Sequence, residues 1–206
     1  MDKYIKNFYK INRINYSNDS WLEQGKIPSI IQINEEEYQK LWDSHPLEKH
    51  RIFVFNKYHL VPRWQQAYGK DYKFSGNVAK AKKITNQLKK YLDWANDNEL
   101  KRGRSNNLNG ILVNWYKNGD DYIGWHSDDE TQLDKNSPIY TISLGSERTF
   151  KIREKKNNLN VNKFILENND FLIMGGNFQK YYQHHLPKTK KCKSSRISIT
   201  LRSFKN

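Results

Sequence analysis

The pattern of apolar and polar residues changes once along the chain, near Gly110. In the two most regular segments before this point, apolar residues recur at spacings of three and four, which is typical of amphipathic helices. Beyond it, apolar and polar residues alternate in short runs, which is typical of β-strands. This order predicts an α+β protein in which helices are followed by an antiparallel sandwich or a small barrel.

Two helices are predicted before Gly110. Asn34 is a candidate N-cap because three consecutive glutamates and then an amphipathic stretch follow it. The second helix is predicted within residues 79–100, where lysines separate the apolar positions. A short strand is expected at Ser29–Ile33, and residues 1–28 show no periodicity, so we expect an irregular polar arm there.

Six strands are predicted beyond Gly110, and Gly, Asn and Asp clusters separate most of them. These strands are Ile111–Tyr116, Ile139–Leu144, Thr149–Arg153, Lys163–Leu166, Phe171–Met174 and Arg196–Arg202. Residues 51–76 mix aromatic, basic and turn residues and are interpreted as hairpin and loop. We therefore expect one domain over residues 29–206, preceded by the arm.

The charge balance points towards an anionic partner. The chain has 206 residues, with 36 Lys and Arg against 22 Asp and Glu, so its formal net charge is +14. Such a surplus is typical of nucleic-acid-binding proteins, but a lysine-rich composition alone would produce it too. The 13 Tyr, 9 Phe and 6 Trp residues favour the first interpretation, because aromatic rings stack on unpaired bases.

Several classes of protein are excluded by the sequence. A single cysteine, Cys192, excludes a disulfide framework and a cysteine-based zinc site. No apolar stretch is long enough to span a membrane, and the N-terminus lacks the apolar region of a signal peptide. We expect a soluble, intracellular monomer that does not associate with membranes.

The last predicted strand, Arg196–Arg202, alternates without interruption. Its apolar positions are Ile197, Ile199 and Leu201, and its polar positions are Arg196, Ser198, Thr200 and Arg202. An ordinary surface strand would show the same pattern. If the polar face instead points into a barrel, the arginines need an anionic ligand, and a dicarboxylate suits them because the guanidinium group pairs with a carboxylate through two hydrogen bonds.

A second candidate site is the sequence His126-Ser127-Asp128. In an extended segment these spacings place an imidazole and a carboxylate on the same side, where they can share a metal ion. His184 and His185 are the candidates for a third ligand. Two histidines and one carboxylate form the facial triad of non-haem Fe(II) oxygenases.

Taken together, His126-x-Asp128, His184 and two arginines six residues apart resemble the AlkB family of Fe(II)/2-oxoglutarate dioxygenases, and most closely its eukaryotic nucleic-acid-repair members. The resemblance covers residues 52–204. It implies a double-stranded β-helix (jelly-roll) core, with N-terminal helices packed on it and a nucleotide-recognition lid at about residues 51–76.

The resemblance also implies which residues hold the cofactors, Fe(II), 2-oxoglutarate and O2. The metal ligands would be His126, Asp128 and His184, because His184-His185-Leu186-Pro187 matches the family's His-x-[Leu/Val]-Pro sequence. The residues implied to bind 2-oxoglutarate are Asn114, Tyr116, Arg196, Thr200 and Arg202. Trp125 and Ser127 differ from the nearest relatives of the family.

On the substrate side, the resemblance implies contacts from Arg63, Tyr72, Phe74, Ser75 and Glu130, with Phe74 stacking on an extruded base. Phe55 lies where duplex-specific members insert a wedge. It is equally well interpreted as an ordinary buried hairpin aromatic. The loop after His184 carries four lysines that we expect to contact phosphates, and these are Lys188, Lys190, Lys191 and Lys193.

The implied reaction is oxidative demethylation of bases such as 1-methyladenine and 3-methylcytosine in DNA. Two alternatives stay open, an RNA demethylase or other hydroxylase of the same fold, and a non-catalytic protein that binds nucleic acid. The predicted lid and the lysines after His184 argue against a protein side chain as substrate, but they do not separate DNA from RNA.

Overall fold

The structure is a computed structural model and describes residues 11–54, 56–74, 76–104, 108–158 and 162–205. The helices in these ranges are a 3-10 helix at Ser29–Ile31, α1 Glu35–Asp43, α2 Asn86–Lys101 and α3 Phe178–Tyr181. The strands are β1 Asn12–Asn15, β2 Ser20–Lys26, β3 Arg51–Val54, β4 Lys57–Leu60, β5 Trp64–Tyr68, β6 Tyr72–Phe74, β7 Asn77–Ala79, β8 Gly110–Tyr116, β9 Ile123–His126, β10 Ile139–Gly145, β11 Arg148–Glu154, β12 Asn162–Leu166, β13 Asp170–Gly176, β14 Tyr182–Leu186 and β15 Arg196–Arg202.

Two antiparallel sheets form the centre of the molecule. The major sheet has the strand order β1-β2-β13-β10-β15-β8-β5, and the minor sheet has the order β12-β11-β14-β9. Leu172 of the major sheet packs in one apolar cluster with Phe150 and Leu186 of the minor sheet. The two sheets therefore share an interior, as the jelly-roll expectation requires.

The N-terminal helices cover the outer face of the major sheet. Leu41 of α1 and Leu88 of α2 pack in one cluster with Trp115 of β8 and Ile199 of β15. The indole nitrogen of Trp115 also donates to the Leu41 carbonyl at 2.9 Å. Because the apolar residues of β8 and β15 face the helices, their polar residues face the interior between the sheets.

The predicted helices are present, but α2 begins later than expected. In α1, Asn34 and Glu37 form a reciprocal capping box, with the Asn34 side chain accepting from the Glu37 N–H at 2.9 Å. Helix α2 begins after the N-cap Thr85, whose side chain accepts from Leu88. Ala79, where the predicted helical segment begins, is instead the last residue of β7.

The prediction of an irregular arm is wrong for the described residues 12–26. Strand β2 pairs with β13 over its full length, so the major sheet extends N-terminal of residue 29. The alternation in β2 is hidden because it contains Glu23, a buried acid whose carboxylate binds Arg13 at 2.9 Å and Arg102 at 2.6 Å. The strand expected at Ser29–Ile33 is a 3-10 helix.

The region predicted as a lid has two separate hairpins, β3–β4 and β6–β7. Between them, β5 pairs with β8 and forms the edge of the major sheet. The prediction of hairpin and loop therefore fails for β5, where Ala67 and Tyr68 are buried. None of the helices in the described ranges has the length and apolar character needed to cross a membrane.

Candidate active site

A cavity of about 600 Å³ lies between the two sheets. The polar residues of β15 line one side of it, and residues of β9 and β14 line the other. All four polar side chains of this strand are buried, with Arg196 only 2% exposed. The alternation in β15 thus belongs to a strand buried on both faces, and not to a surface strand.

Strand pairing brings the predicted metal ligands together. His126 of β9 lies opposite His184 of β14, and their ring centroids are 4.1 Å apart. The Nε2 atoms of both imidazoles lie 3.9 Å from carboxylate oxygens of Asp128. Candidate ligand atoms of the three residues all lie within 4.8 Å of one another. This donor set fits a single Fe(II) ion.

The protonation of the imidazoles also suits a metal ion. His126 Nδ1 donates to the Gly124 carbonyl at 2.8 Å, so its Nε2 carries the free electron pair. Burial lowers the pKa of His126. Burial, with a smaller effect from His126, lowers the pKa of His184 to about 3. Both rings are therefore neutral near pH 7, which is the form that binds metals.

Asp128 is held as a carboxylate by Arg202. Burial alone would raise the pKa of Asp128, but the charge of Arg202 outweighs this effect and holds that pKa well below its usual range. A guanidinium nitrogen of Arg202 donates to Asp128 Oδ1 at 2.9 Å, and both side chains are buried. Sequence reasoning expected Arg202 to bind 2-oxoglutarate and did not foresee this ion pair.

Arg196 has a different environment from Arg202. Its Nε donates to Ser143 Oγ at 3.0 Å, and no carboxylate in the described part of the chain forms an ion pair with it. Burial lowers the pKa of Arg196 to about 10, so the guanidinium group stays charged at neutral pH. A buried cation without a counter-ion is costly, and a carboxylate of 2-oxoglutarate would supply the missing charge.

The other residues predicted to bind 2-oxoglutarate line the same cavity. The Arg196 guanidinium carbon lies 5.3 Å from the centroid of the Tyr116 ring. Asn114 Oδ1 accepts from Arg63 Nε at 2.8 Å, so these two predicted site residues contact each other. Thr200 is buried at the cavity wall. Gln65, which sequence reasoning missed, is buried there too, and its Oε1 atom has no hydrogen-bond partner in the part of the chain that the structure describes.

Two aromatic residues from β6 reach the cavity. The rings of Tyr72 and Phe74 are stacked, with centroids 5.7 Å apart. The Tyr72 hydroxyl donates to Glu130, and the Arg202 guanidinium lies 4.8 Å from the centre of the Tyr72 ring. The aromatic surface is therefore connected to the metal centre through Arg202. Two further predicted substrate contacts, Phe55 and Ser75, lie outside the described residues.

The predicted phosphate-binding lysines are all exposed, and they are Lys188, Lys190, Lys191 and Lys193. Lys188 lies 4.9 Å from the centre of the Tyr122 ring, which lines the cavity, so this loop is at the rim of the cavity. Arg148, which sequence reasoning missed, anchors the loop, because its buried guanidinium donates to the carbonyls of Asn118, Asp121 and Pro187. A single arginine in a strand carries no sequence signal for this role.

Comparison with known proteins agrees with this site. A family model described as the 2OG-Fe(II) oxygenase superfamily matches residues 17–202. The chain belongs to this superfamily. The cavity has groups suited to the cofactors of 2OG-Fe(II) oxygenases. His126, Asp128 and His184 would hold Fe(II), and Arg196 would bind 2-oxoglutarate.

Individual relatives confirm the resemblance to the AlkB family within this superfamily. The DNA oxidative demethylase ALKBH2 of Bos taurus is 35% identical over 164 residues, which is 75% of this chain and 57% of that protein. The Homo sapiens protein of the same name is 33% identical, with 61% of its length covered. The chain thus spans about three fifths of the length of these 2OG-Fe(II) oxygenases.

A more distant relative and one solved structure extend the comparison. The alpha-ketoglutarate-dependent dioxygenase alkB homolog 3 of Mus musculus is 31% identical over 118 residues, covering 53% of this chain and 41% of that protein. The structure of OsALKBH1 has a TM-score of 0.57 at 17% identity and covers 93% of this chain and 100% of its own. At that identity the likeness shows a common fold, and it confirms the jelly-roll architecture of this 2OG-Fe(II) oxygenase.

Proposed function

We propose that this protein is an Fe(II)/2-oxoglutarate dioxygenase that removes methyl groups from alkylated DNA bases, such as 1-methyladenine and 3-methylcytosine. One observation carries the proposal. A His-Asp-His cluster, a buried Arg196 that has no counter-ion among the described residues, and the stacked rings of Tyr72 and Phe74 line one cavity. The relatives named DNA oxidative demethylase support the choice of substrate.

The proposed reaction consumes 2-oxoglutarate and O2 and releases succinate and CO2. Bound Fe(II) would supply the oxidising chemistry, which inserts one oxygen atom into a C–H bond of the N-methyl group. The hydroxymethyl product then breaks its C–N bond, releasing formaldehyde and the restored base. The atoms balance, because one oxygen atom of O2 enters succinate and the other leaves in formaldehyde.

The protein's own residues orient the reactants. Arg196 would bind a carboxylate of 2-oxoglutarate, and His126, Asp128 and His184 would hold the Fe(II) ion. Tyr72 and Phe74 offer a stacking surface for a base that has left the helix. A methylated base that cannot pair costs less to extrude, so the lesion itself contributes to selection. The exposed lysines from Lys188 to Lys193 bind backbone phosphates at the rim.

Replacing Arg196 with methionine is expected to weaken the binding of 2-oxoglutarate about 100-fold. The loss of one partner of a buried charge pair costs about 2–5 kcal/mol, and about 1.4 kcal/mol corresponds to a factor of ten. Calorimetric titration of 2-oxoglutarate into the protein loaded with Mn(II) measures this affinity. An unchanged affinity would show that the carboxylate binds elsewhere.

Replacing Phe74 with alanine is expected to lower demethylation of an oligonucleotide about 5- to 150-fold, because stacking of one base on an aromatic ring contributes about 1–3 kcal/mol. Mn(II) affinity should stay at the wild-type value, since Phe74 is not one of the predicted metal ligands. Phe74→Leu is the matched variant, because it keeps apolar volume but removes the aromatic face. If the alanine variant repairs at the wild-type rate, the base stacks elsewhere.

The nucleic acid that the enzyme accepts is decided by mass spectrometry of methylated oligonucleotides, offered as single-stranded and double-stranded DNA and as RNA. DNA products support the proposal, and products from RNA alone favour the RNA demethylase. A non-catalytic protein would form no product from any of them. The monomeric state, the intracellular location and the lid function of residues 51–76 stay predictions.

A further inference from the structure

Gln179, in helix α3, contacts the metal-ligand segment, which comprises residues 127–129. Its side-chain oxygen accepts a hydrogen bond from the backbone N–H of Asp128 at 2.9 Å. We infer that Gln179 is a positioning residue, which fixes the Asp128 carboxylate in place for the metal ion. This inference rests on the metal centre of the proposed function and is independent of its substrate.

Asp128 needs such a contact because the sheet does not hold it. Strand β9 ends at His126, and its pairing with β14 is already irregular between Ile123 and His126. Asp128 lies two residues further on, outside the ladder. Its side chain is held by Arg202, but the position of its backbone depends on other hydrogen bonds.

Three consecutive residues of this segment are tied to the chain that leads into β14. Ser127 Oγ donates to the Tyr182 carbonyl at 2.8 Å, next to the Gln179 contact with Asp128. Lys155 Nζ then bridges Asp129, at 2.9 Å, and the Gln179 carbonyl, at 2.8 Å. Because β14 carries His184, these bonds set the position of the carboxylate ligand relative to that imidazole.

Side-chain packing does not replace these bonds. A second cavity, of about 350 Å³, lies beside the segment and is lined by Asp128, Asp129, Lys155, Met174 and Gln179. The Gln179 amide nitrogen also contacts Met174 Sδ, at 3.6 Å. Without the amide oxygen, water in the cavity can satisfy the Asp128 N–H. A variant without this amide is therefore expected to hold the Asp128 carboxylate less precisely and to keep the stability of the wild type.

The test is Gln179→Met, which keeps the length of the side chain but removes the acceptor. We expect the affinity for Mn(II), measured by calorimetry, to fall about 10-fold, the lower end of the 10- to 100-fold loss known for residues that orient metal ligands. The melting temperature of the metal-free protein should stay at the wild-type value. Ser127→Ala provides a second, independent variant with the same expected direction.

Two controls separate positioning from a general effect on the fold. Gln183→Met removes an amide from β14, but that amide contacts Arg153 and not the metal ligands. Met174→Leu removes the sulfur contact and keeps the Asp128 contact. Both should bind Mn(II) like the wild type. If Gln179→Met does as well, the inference is wrong, whereas a wild-type protein that binds no Mn(II) would overturn the metal centre itself.

Discussion

Replacing His126 with alanine is expected to lower demethylation at least about 1000-fold, since a catalytic metal ion contributes several kcal/mol and each 1.36 kcal/mol corresponds to a factor of ten. The fold should tolerate the change. The His126 side chain is 28% exposed, whereas that of His184 is 5% exposed. Its hydrogen bond goes to a carbonyl only two residues away, at Gly124.

The measurement is the formation of demethylated oligonucleotide and succinate by mass spectrometry, combined with calorimetric titration of Mn(II). His185→Ala is the matched control. His185 follows a predicted ligand directly, but its ring packs against Trp125 with centroids 4.8 Å apart. It should keep both metal binding and activity. Normal product formation by His126→Ala would refute the proposed metal centre.

Replacing Arg202 with methionine is expected to lower the free energy of unfolding by about 3–5 kcal/mol, which is typical when one partner of a buried ion pair is removed. The loss is expected because the Asp128 carboxylate would stay buried without its counter-ion. Urea denaturation of the metal-free protein measures the loss. The second substitution Asp128→Asn should recover part of it, because the uncompensated charge is then removed.

Arg196→Met provides the comparison on the same strand. Arg196 is as deeply buried as Arg202, but it has no acidic partner in the described ranges. Removing its charge strands no carboxylate and relieves the cost of a buried cation, so we expect a loss of at most about 1 kcal/mol from its bond to Ser143. Equal losses for the two variants would show that the Asp128–Arg202 pair has no special role in stability.

Six of the eleven strands in the two central sheets could be predicted from sequence because their residues alternate. β8, β10, β11, β12, β13 and β15 were all predicted within one or two residues of their observed ends. The missed strands carry little alternation. β1 has no large apolar residue except Ile14, and β14 was read as a source of metal ligands and not as a strand. The capping residues around Asn34 marked the start of α1 locally, without any help from packing.

The sequence by itself determined the chemistry of this protein. A His-x-Asp pair, a later histidine and two arginines six residues apart together resemble the AlkB family, and from this resemblance the sequence predicted the metal and 2-oxoglutarate sites. It could not determine which face of β15 is buried, since an alternating strand looks the same in a barrel wall and on a surface.

Only the tertiary structure determined which side chains the two arginines and Asp128 contact. Helices α1 and α2 cover the apolar face of β15, so both arginines point into the cavity. Contacts across 74 residues pair Arg202 with Asp128, whereas Arg196 has no acidic partner among the described residues, and Gln179 contacts Asp128 across 51 residues. Such contacts depend on how distant segments fold together, and local sequence patterns carry no record of them.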